Sequence, residues 1–461
     1  MRTTPGSLFV IVACSVALAT GVTAQAAPDA AHRTAAPRPQ GGSQPLHLTL
    51  DAAVSRALAA NPTLKALHSR SAAALKTAKA ASRTRWGTID AVASYTRDND
   101  DWITRPMSKQ LVLGAGGFGN MPWDRNQTHY GITFQLPLYL GGKLKNGIKI
   151  AQLQSQRAGA LLTGTRWQVR FNATSLYTAT QSLDAVHAAL QELIASLQKT
   201  KQRLDIMVQA GKRPEVDRLK VLEQYQDAIA QRESIAATRT KVASLLLALM
   251  NEPPGRGLDV DPLPDRSPVL VESVPQLIQD LDHVSPVRRA RLAAAMASSQ
   301  ERIARSAFLP NVVVSGNYMQ NDAPSIGNAL DTWQFSVGVK LPLFAGGSRF
   351  ERLGAAKENA HAALMSLDAI RLQVEAQLRD ALARFTAAQA ELEAAHARVA
   401  AGTEAARIEQ IRYDTGAGTI EDLLRADARS EEAKASLARA RAGIVQAAER
   451  INAIVEKEAV K

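Results

Sequence analysis

Between residues 128 and 138 apolar and polar side chains alternate. Tyr130, Ile132, Phe134, Leu136 and Leu138 hold one phase; His129, Gly131, Thr133, Gln135 and Pro137 hold the other. A period of two with one apolar face predicts a strand that is greasy on one side and wet on the other. After Gly141-Gly142 the pattern turns helical and stays so over 143–209 with no proline. Leu176, Leu183, Leu190, Leu197 and Leu204 recur every seven positions, with Ala179, Val186, Leu193, Thr200 and Met207 three further on. That is a heptad seam. At ~1.5 Å per residue such a helix is roughly 100 Å long, more than the core of a globular domain accommodates.

The same device returns. Trp333, Phe335, Val337, Val339, Leu341 and Leu343 alternate with Gln334, Ser336, Gly338 and Lys340, and Gly346-Gly347 follows. Leu136-Pro137-Leu138 and Leu341-Pro342-Leu343 lie 205 positions apart, as do Gly211 and Gly416, Asp217 and Asp422, and Leu219 and Leu424. An unbroken offset over the whole helix predicts two matched halves, an internal duplication spanning 47–255 and 256–461. Each half has an earlier strand too. Ile89, Ala91, Ala93 and Tyr95 alternate with Asp90, Val92 and Ser94, and Val312, Val314, Gly316 and Tyr318 form the counterpart. Tyr95 and Tyr318 are 223 apart, so the first inter-strand loop is 18 residues longer than the second; 98–127 and 321–331 are the expected loops. The excess is Gly-rich and carries Trp102 and Trp123.

Helices are expected over 48–85, with Thr49 a cap and Asn61-Pro62 a break and restart, and over 215–250, 348–412 and 419–458. The hairpin tips fall at Gly211-Lys212-Arg213-Pro214 and at Tyr413-Asp414-Thr415-Gly416-Ala417-Gly418, with Gly as stop and Pro or Thr as restart.

Composition sharpens this picture. The chain has 461 residues, 5% aromatics and a formal net charge of +12. Its cations are interleaved with Glu and Asp along helical stretches, which reads as a solvated helix face, with no nucleic acid implied. Residues 1–26 have the layout of a secretory signal: Arg2, an apolar run and Ala24-Gln25-Ala26. A disordered lead-in is expected over 27–46. Cys14, the sole cysteine, sits inside the apolar run, where a lipoprotein cleavage site fits only loosely. A mature chain beginning after Ala26 has no thiol chemistry.

Four strands of about ten residues match the length of membrane-spanning β-strands. Four cannot close a barrel, and lipid does not tolerate open edges, so copies of the chain must share their strands. Two copies give eight strands, whose interior side chains just fill, and three give twelve, which leave room for a lumen; Asp90, Gln135, Gln334 and Lys340 on the non-lipid face favour a wet interior. Tyr130, Ile132, Phe134, Trp333, Phe335, Val337 and Val339 are the expected lipid-facing residues. Trp86 and Trp333 are candidate interfacial anchors. The fold class expected is a mixed α and β membrane protein: long antiparallel coiled-coil hairpins plus four transmembrane strands per chain.

The order of short helices, strand, loop, strand with LPL(Y/F)xGG, long helix, glycine tip and helix, given twice, resembles the TolC-type outer-membrane efflux protein family. The likeness runs from Leu46 to about Glu458 and is strongest at Tyr413–Leu424, YDTGAGTIEDLL. It implies a homotrimer with a twelve-stranded outer-membrane barrel, a helical tunnel through the periplasm, and tips that meet a periplasmic adaptor and, through it, an inner-membrane pump. It further implies an acidic ring at Asp422, near a tunnel-mouth constriction. Arg425 stands where some members carry a second Asp, and Gly418 where some carry Arg. Gly211, Lys212, Arg213, Tyr413, Gly416 and Gly418 are then the tip residues for adaptor contact or hinging. The competing reading of Asp422 is a first-turn residue at the positive end of its helix dipole.

Other chemistry is thinly represented. Gly114-Ala115-Gly116-Gly117-Phe118-Gly119 fits GxGxxG but lacks the helix start that a dinucleotide site needs. Met107, Met121 and Met319 beside the loops would suit a soft metal, although scattered methionines are commonly packing residues. No nucleophile–base set and no metal-ligand cluster stand out, so neither enzyme activity nor a cofactor is expected. The alternative reading is a cell-envelope coiled-coil structural or adaptor protein without a pore.

Overall fold

The computed structural model describes residues 45–104, 109–114, 116, 121–264, 267–325 and 329–460. The expected secretory signal and lead-in up to residue 44, Cys14, Met107 and most of the 114–119 glycine stretch lie outside them. Strand β1 (Leu46–Leu48) leads into α1 (Leu50–Ala60) and α2 (Pro62–Arg83). Thr49 caps α1 and Asn61 caps α2, each side-chain oxygen accepting a backbone N–H three residues on, at 3.2 and 3.1 Å. Next come β2 (Thr88–Ile103), the short α3 (Lys109–Gly114), β3 (Trp123–Leu140), α4 (Lys143–Gln209) and α5 (Glu215–Leu249). After β4 (Leu258–Val260) and α6 (Val274–Asp280), the order recurs as α7 (Ser285–Ser306), β5 (Asn311–Asp322), β6 (Leu330–Lys340), α8 (Ser348–Asp414) and α9 (Ile420–Val455).

Helices α4 and α8 are each 67 residues long, as the constant offset requires. Near the strands, α4 packs between α2 and α7, and α7 between α4 and α8; towards the tips, α4 lies against α5 and α9, and α9 against α8. Both long helices start from a pair of left-handed glycines, Gly141-Gly142 (φ 59 and 88°) and Gly346-Gly347 (φ 57 and 78°). Two consecutive residues at positive φ swing the chain from strand to helix within one turn, which only glycine does at little cost.

The heptad seam is buried from Val186 through Leu190, Leu193 and Leu197 to Leu204. Nearer the strands the buried stripe moves off Leu176 and Leu183 to Val169, Ala173 and Tyr177, because there α4 also receives α1, β1 and β4. Strand β1 pairs in parallel with β4, Leu46 opposite Leu258, so a strand residue falls at the end of the stretch expected to be lead-in. Tyr177 fastens this addition, donating its hydroxyl to Leu48 O at 2.8 Å and accepting from the Asp261 amide at 3.1 Å.

Strands β2, β3, β5 and β6 form an antiparallel sheet in that order. Three departures from the alternation pattern have identifiable causes. A bulge between Pro137 and Tyr139 leaves Leu138 without a partner, so the alternation does not continue through it and Tyr139 lies opposite Val312. Strand β6 ends at Lys340, opposite Asn311 where β5 begins, so residues 341–344 run past β5, whereas β3 reaches Asn311 only at Leu140. Leu343 and Phe344 are left 85 and 88% exposed. The expected first loop is strand at both ends, since β2 and β3 stay paired to Ile103 and Trp123 beyond an irregularity between Arg97 and Trp102. Across the loop ends, the Ser325 amide donates to Asp124 at 2.9 Å.

Candidate functional site

Register decides what each face of the sheet presents. Tyr130, Ile132 and Phe134 lie opposite Ala93, Ala91 and Ile89 on one side and Gln320, Tyr318 and Gly316 on the other. Tyr318, Gly316, Val314 and Val312 in turn face Trp333, Phe335, Val337 and Val339. Directly paired residues share a face, so all seven expected lipid-facing residues fall on one continuous apolar surface. Gly316 makes room within it. A Cβ there would sit 2.2 Å from Phe134 Cε1, and over that gap Phe134 reaches Phe335, ring centroids 6.3 Å apart. Trp333, Phe335, Val337 and Val339 are each more than half exposed, an apolar area that a lone soluble chain seldom shows.

The opposite face is polar and internally bonded. Ser315 and Ser336 hydroxyls meet at 2.8 Å, His129 Nδ1 lies 2.7 Å from Asn321 Oδ1, and Asn321 Nδ2 donates to Thr332 Oγ1 at 2.9 Å. Asp90, Gln135, Gln334 and Lys340 belong to this face by register, and Met319 joins it beside Gly131.

The second candidate feature is the pair of helical tips, which share one turn chemistry. At the first, Lys212 N donates to Met207 O at 2.8 Å and Gly211 N to Val208 O at 3.0 Å, with Gly211 at φ 68°. At the second, Ala417 N donates to Arg412 O at 2.8 Å and Gly416 N to Tyr413 O at 3.1 Å, with Gly416 at φ 80°. Both are Schellman caps, and the glycines stand where a left-handed residue must. Gly418 is placed differently: its amide also reaches Arg412 O at 3.0 Å, and a Cβ would lie 3.1 Å from Arg412 Cβ. Asp422 sits on its own helix cap. Its amide donates to Thr419 Oγ1 at 3.1 Å, and that hydroxyl donates back to Asp422 Oδ2 at 2.7 Å. Arg425 binds Glu421 at 3.0 Å, four residues earlier.

Sequence reasoning missed the contacts that join the two hairpins. Arg203 donates to Asp414 at 2.7 Å, Lys220 to Glu421 at 3.2 Å, and the Arg213 guanidinium stacks on the Tyr413 ring at 4.8 Å from its centroid. Lys212 is exposed beside Arg213 at the same turn. Pairs between distant elements leave no local periodicity to read. Tyr413 itself is 4% exposed and belongs to a buried cluster with Leu197, Leu204, Val221, Ile420 and Leu423. Burial pushes its phenol pKa up, against the pull of Arg213, and its hydroxyl has no hydrogen-bond partner among the described residues.

Two turns into α9, burial and then the neighbouring Glu431 raise the Asp427 carboxyl to about 6, with Lys434 acting the other way. Lys434 is itself held by Glu431 and Glu192, at 2.9 and 3.0 Å. The folded pKa lies above the ordinary value of 3.8, so folding takes up a proton between those limits and stability falls as pH rises from about 4 to 6. Asp427→Asn is therefore expected to raise the melting temperature at pH 7.5 by roughly 2–4 °C and to leave it unchanged at pH 4. Thermal unfolding of the detergent-solubilised protein at both pH values checks this.

The family profile described as "Outer membrane efflux protein" matches residues 53–251 and 279–455. Among solved structures, the chain is similar to the outer membrane protein VceC of Vibrio cholerae (TM-score 0.75, 19% identity, 88% of this chain and 96% of that one). It is likewise similar to the CmeC outer membrane channel of Campylobacter jejuni (TM-score 0.77, 17% identity, 89% of this chain and 86% of that one). Nodulation protein T of Rhizobium leguminosarum bv. trifolii is 27% identical over 158 residues, 33% of this chain and 34% of that protein. The chain thus spans about a third of the length of that curated relative.

Proposed function

Since the chain belongs to the outer membrane efflux protein family, we propose that three copies form a passive exit duct in the outer membrane of a Gram-negative bacterium. The duct serves a tripartite efflux or type I secretion system. The observation that carries this reading is the sheet: one face continuous and apolar, the other polar, and both edges, β2 and β6, unpaired. Lipid admits such strands only as part of a closed barrel, and three copies supply twelve. The long hairpins continue the path on the periplasmic side. There the tips at Gly211, Lys212, Arg213, Tyr413, Gly416 and Gly418 meet a periplasmic adaptor, which links them to an inner-membrane pump. The chain performs no covalent step. It supplies a water-filled route and a constriction at the tips, where three copies of Asp422 repel one another and attract cations, with Arg425 one turn away.

Outer-membrane fractionation combined with planar-bilayer conductance tests the duct. A product found away from the outer membrane and unable to pass ions overturns it in favour of a coiled-coil structural protein. Within the duct, Asp422→Ala is expected to reduce cation preference, read as a shift in reversal potential under a salt gradient. Unchanged conductance and preference would remove Asp422 from the constriction and leave it as a cap residue.

A further inference from the structure

Three cavities follow one another along α7, between α4 and α8. The first, about 690 Å³, is lined by Lys143, Arg349 and Arg352; the second, about 460 Å³, by Arg157 and Arg289; the third, about 310 Å³, by Arg289 and Arg450. The second and third share Pro286, Arg289, Val374 and Gln377, and the first lies about one helical turn away along both α7 and α8. Together they make one groove.

The side on which the groove opens follows from the sheet. On α4, Arg157, Leu161, Gly164 and Gln168 line it, about half a turn around the helix from Val169, Ala173 and Tyr177, which carry α1, β1 and β4. At its upper end the first cavity includes Asn311, which is paired with Lys340 on the polar face of the sheet. The groove and the polar face therefore open on the same side.

Its charge is one-sided. None of the six cations lies within ion-pair distance of a carboxylate among the described residues. Elsewhere on α8 the pattern is different: Arg379, Arg384 and Arg407 pair with Glu375, Asp380 and Glu404. Arg349 donates to the carbonyls of Ala307, Pro342 and Leu343, which fixes the guanidinium without neutralising it. The one acid in the lining, Glu456, is bonded by the Ser285 hydroxyl at 2.7 Å, and burial raises its pKa. Between the cations the floor is small and apolar, with Ala290, Ala293, Ala297 and Ile370.

We infer that this groove is a cargo track selective for amphiphilic organic anions, whose acid groups pass from one unpaired cation to the next while their apolar bodies slide over the alanine floor. The inference rests on the duct reading, because it takes the groove as tunnel wall. In three copies the unpaired cations line a water-filled passage, where a ring of like charge enriches the opposite sign.

The test is current block in planar bilayers by pyrenetetrasulfonate, added to each chamber in turn. Wild-type channels are expected to be blocked, more weakly as salt rises from about 0.1 to 1 M and the Debye length shrinks from ~10 to ~3 Å. In the triple variant Arg157→Gln, Arg289→Gln, Arg352→Gln, the half-blocking concentration is expected to rise at least about tenfold. The control triple Arg379→Gln, Arg384→Gln, Arg407→Gln is expected to behave as wild type. Equal block in both triple variants overturns the track, as does block of wild type that does not weaken with salt; in either case the duct stands. Absence of any current overturns the duct itself, and the track with it.

Discussion

Tyr413→Ala is expected to loosen the helical tips by about 3–4 kcal/mol per chain and to raise single-channel conductance, whereas Arg203→Gln does little. The two changes touch neighbouring contacts between the hairpins, and magnitudes separate them. Arg203 and Asp414 are about half exposed, and a solvent-exposed pair contributes roughly 0–1 kcal/mol. Tyr413 is buried among leucines from α4 and α9, and truncating a buried aromatic typically costs about 3–5 kcal/mol. The unpartnered hydroxyl tips the balance further towards packing, since Tyr413→Phe removes a polar atom that has no partner to lose. That variant is expected to keep the wild-type conductance. Single-channel recordings on the three variants, with melting curves beside them, decide the matter. A conductance gain in Arg203→Gln equal to that in Tyr413→Ala shows that charge, and not packing, holds the tips together.

The second large effect concerns two consecutive residues on β6. Phe335 is on the apolar face and Gln334 on the polar one. In the proposed barrel, Phe335→Arg puts a cation towards lipid, at about 2–4 kcal/mol per chain near the bilayer midplane. Three copies make the loss additive around the ring, and no assembled form is expected in the outer-membrane fraction. Gln334→Arg adds the same side chain to the wet face and is expected to assemble normally, with altered ion preference as its only consequence. Native gels of membrane extracts distinguish them. Equal tolerance of both substitutions contradicts a lipid-facing role for the apolar surface.

The parts of this fold that were legible in the sequence are those set by short-range repetition. A fixed spacing of 205 placed both long helices and both tips, because a one-residue slip anywhere in 67 would have broken the match between Gly211 and Gly416. Strand faces were legible for the same reason: a period of two commits every side chain to one side. What escaped depended on neighbours from elsewhere in the chain. The bulge at Leu138 exists because β5 continues beside β3, and nothing in LPLYL announces that. The related LPLF stretch lacks such a neighbour and leaves the strand. Three-residue β1 and β4 are too short to show periodicity, and they pair across more than two hundred positions. At the candidate site, Tyr413 was legible from its motif, but its Arg213 cover and the Arg203–Asp414 link required two hairpins to be brought together. The six unpaired cations were hidden for a complementary reason. In sequence they look like the many arginines that do find acids one turn away, and only the three-dimensional neighbourhood separates the two kinds.

The unpaired margins of the sheet carry a genetic implication. In the proposed three-copy duct the edges β2 and β6 each pair with a sister chain, so each subunit is at once a template and a keystone. A chain able to offer one good margin but not the other would enter a growing ring and prevent its closure. In a cell making sound and crippled chains in equal amounts, only about one eighth of three-chain rings would be wholly sound. Damage confined to β6 should accordingly act as a dominant poison, while a null allele is silent beside a working copy.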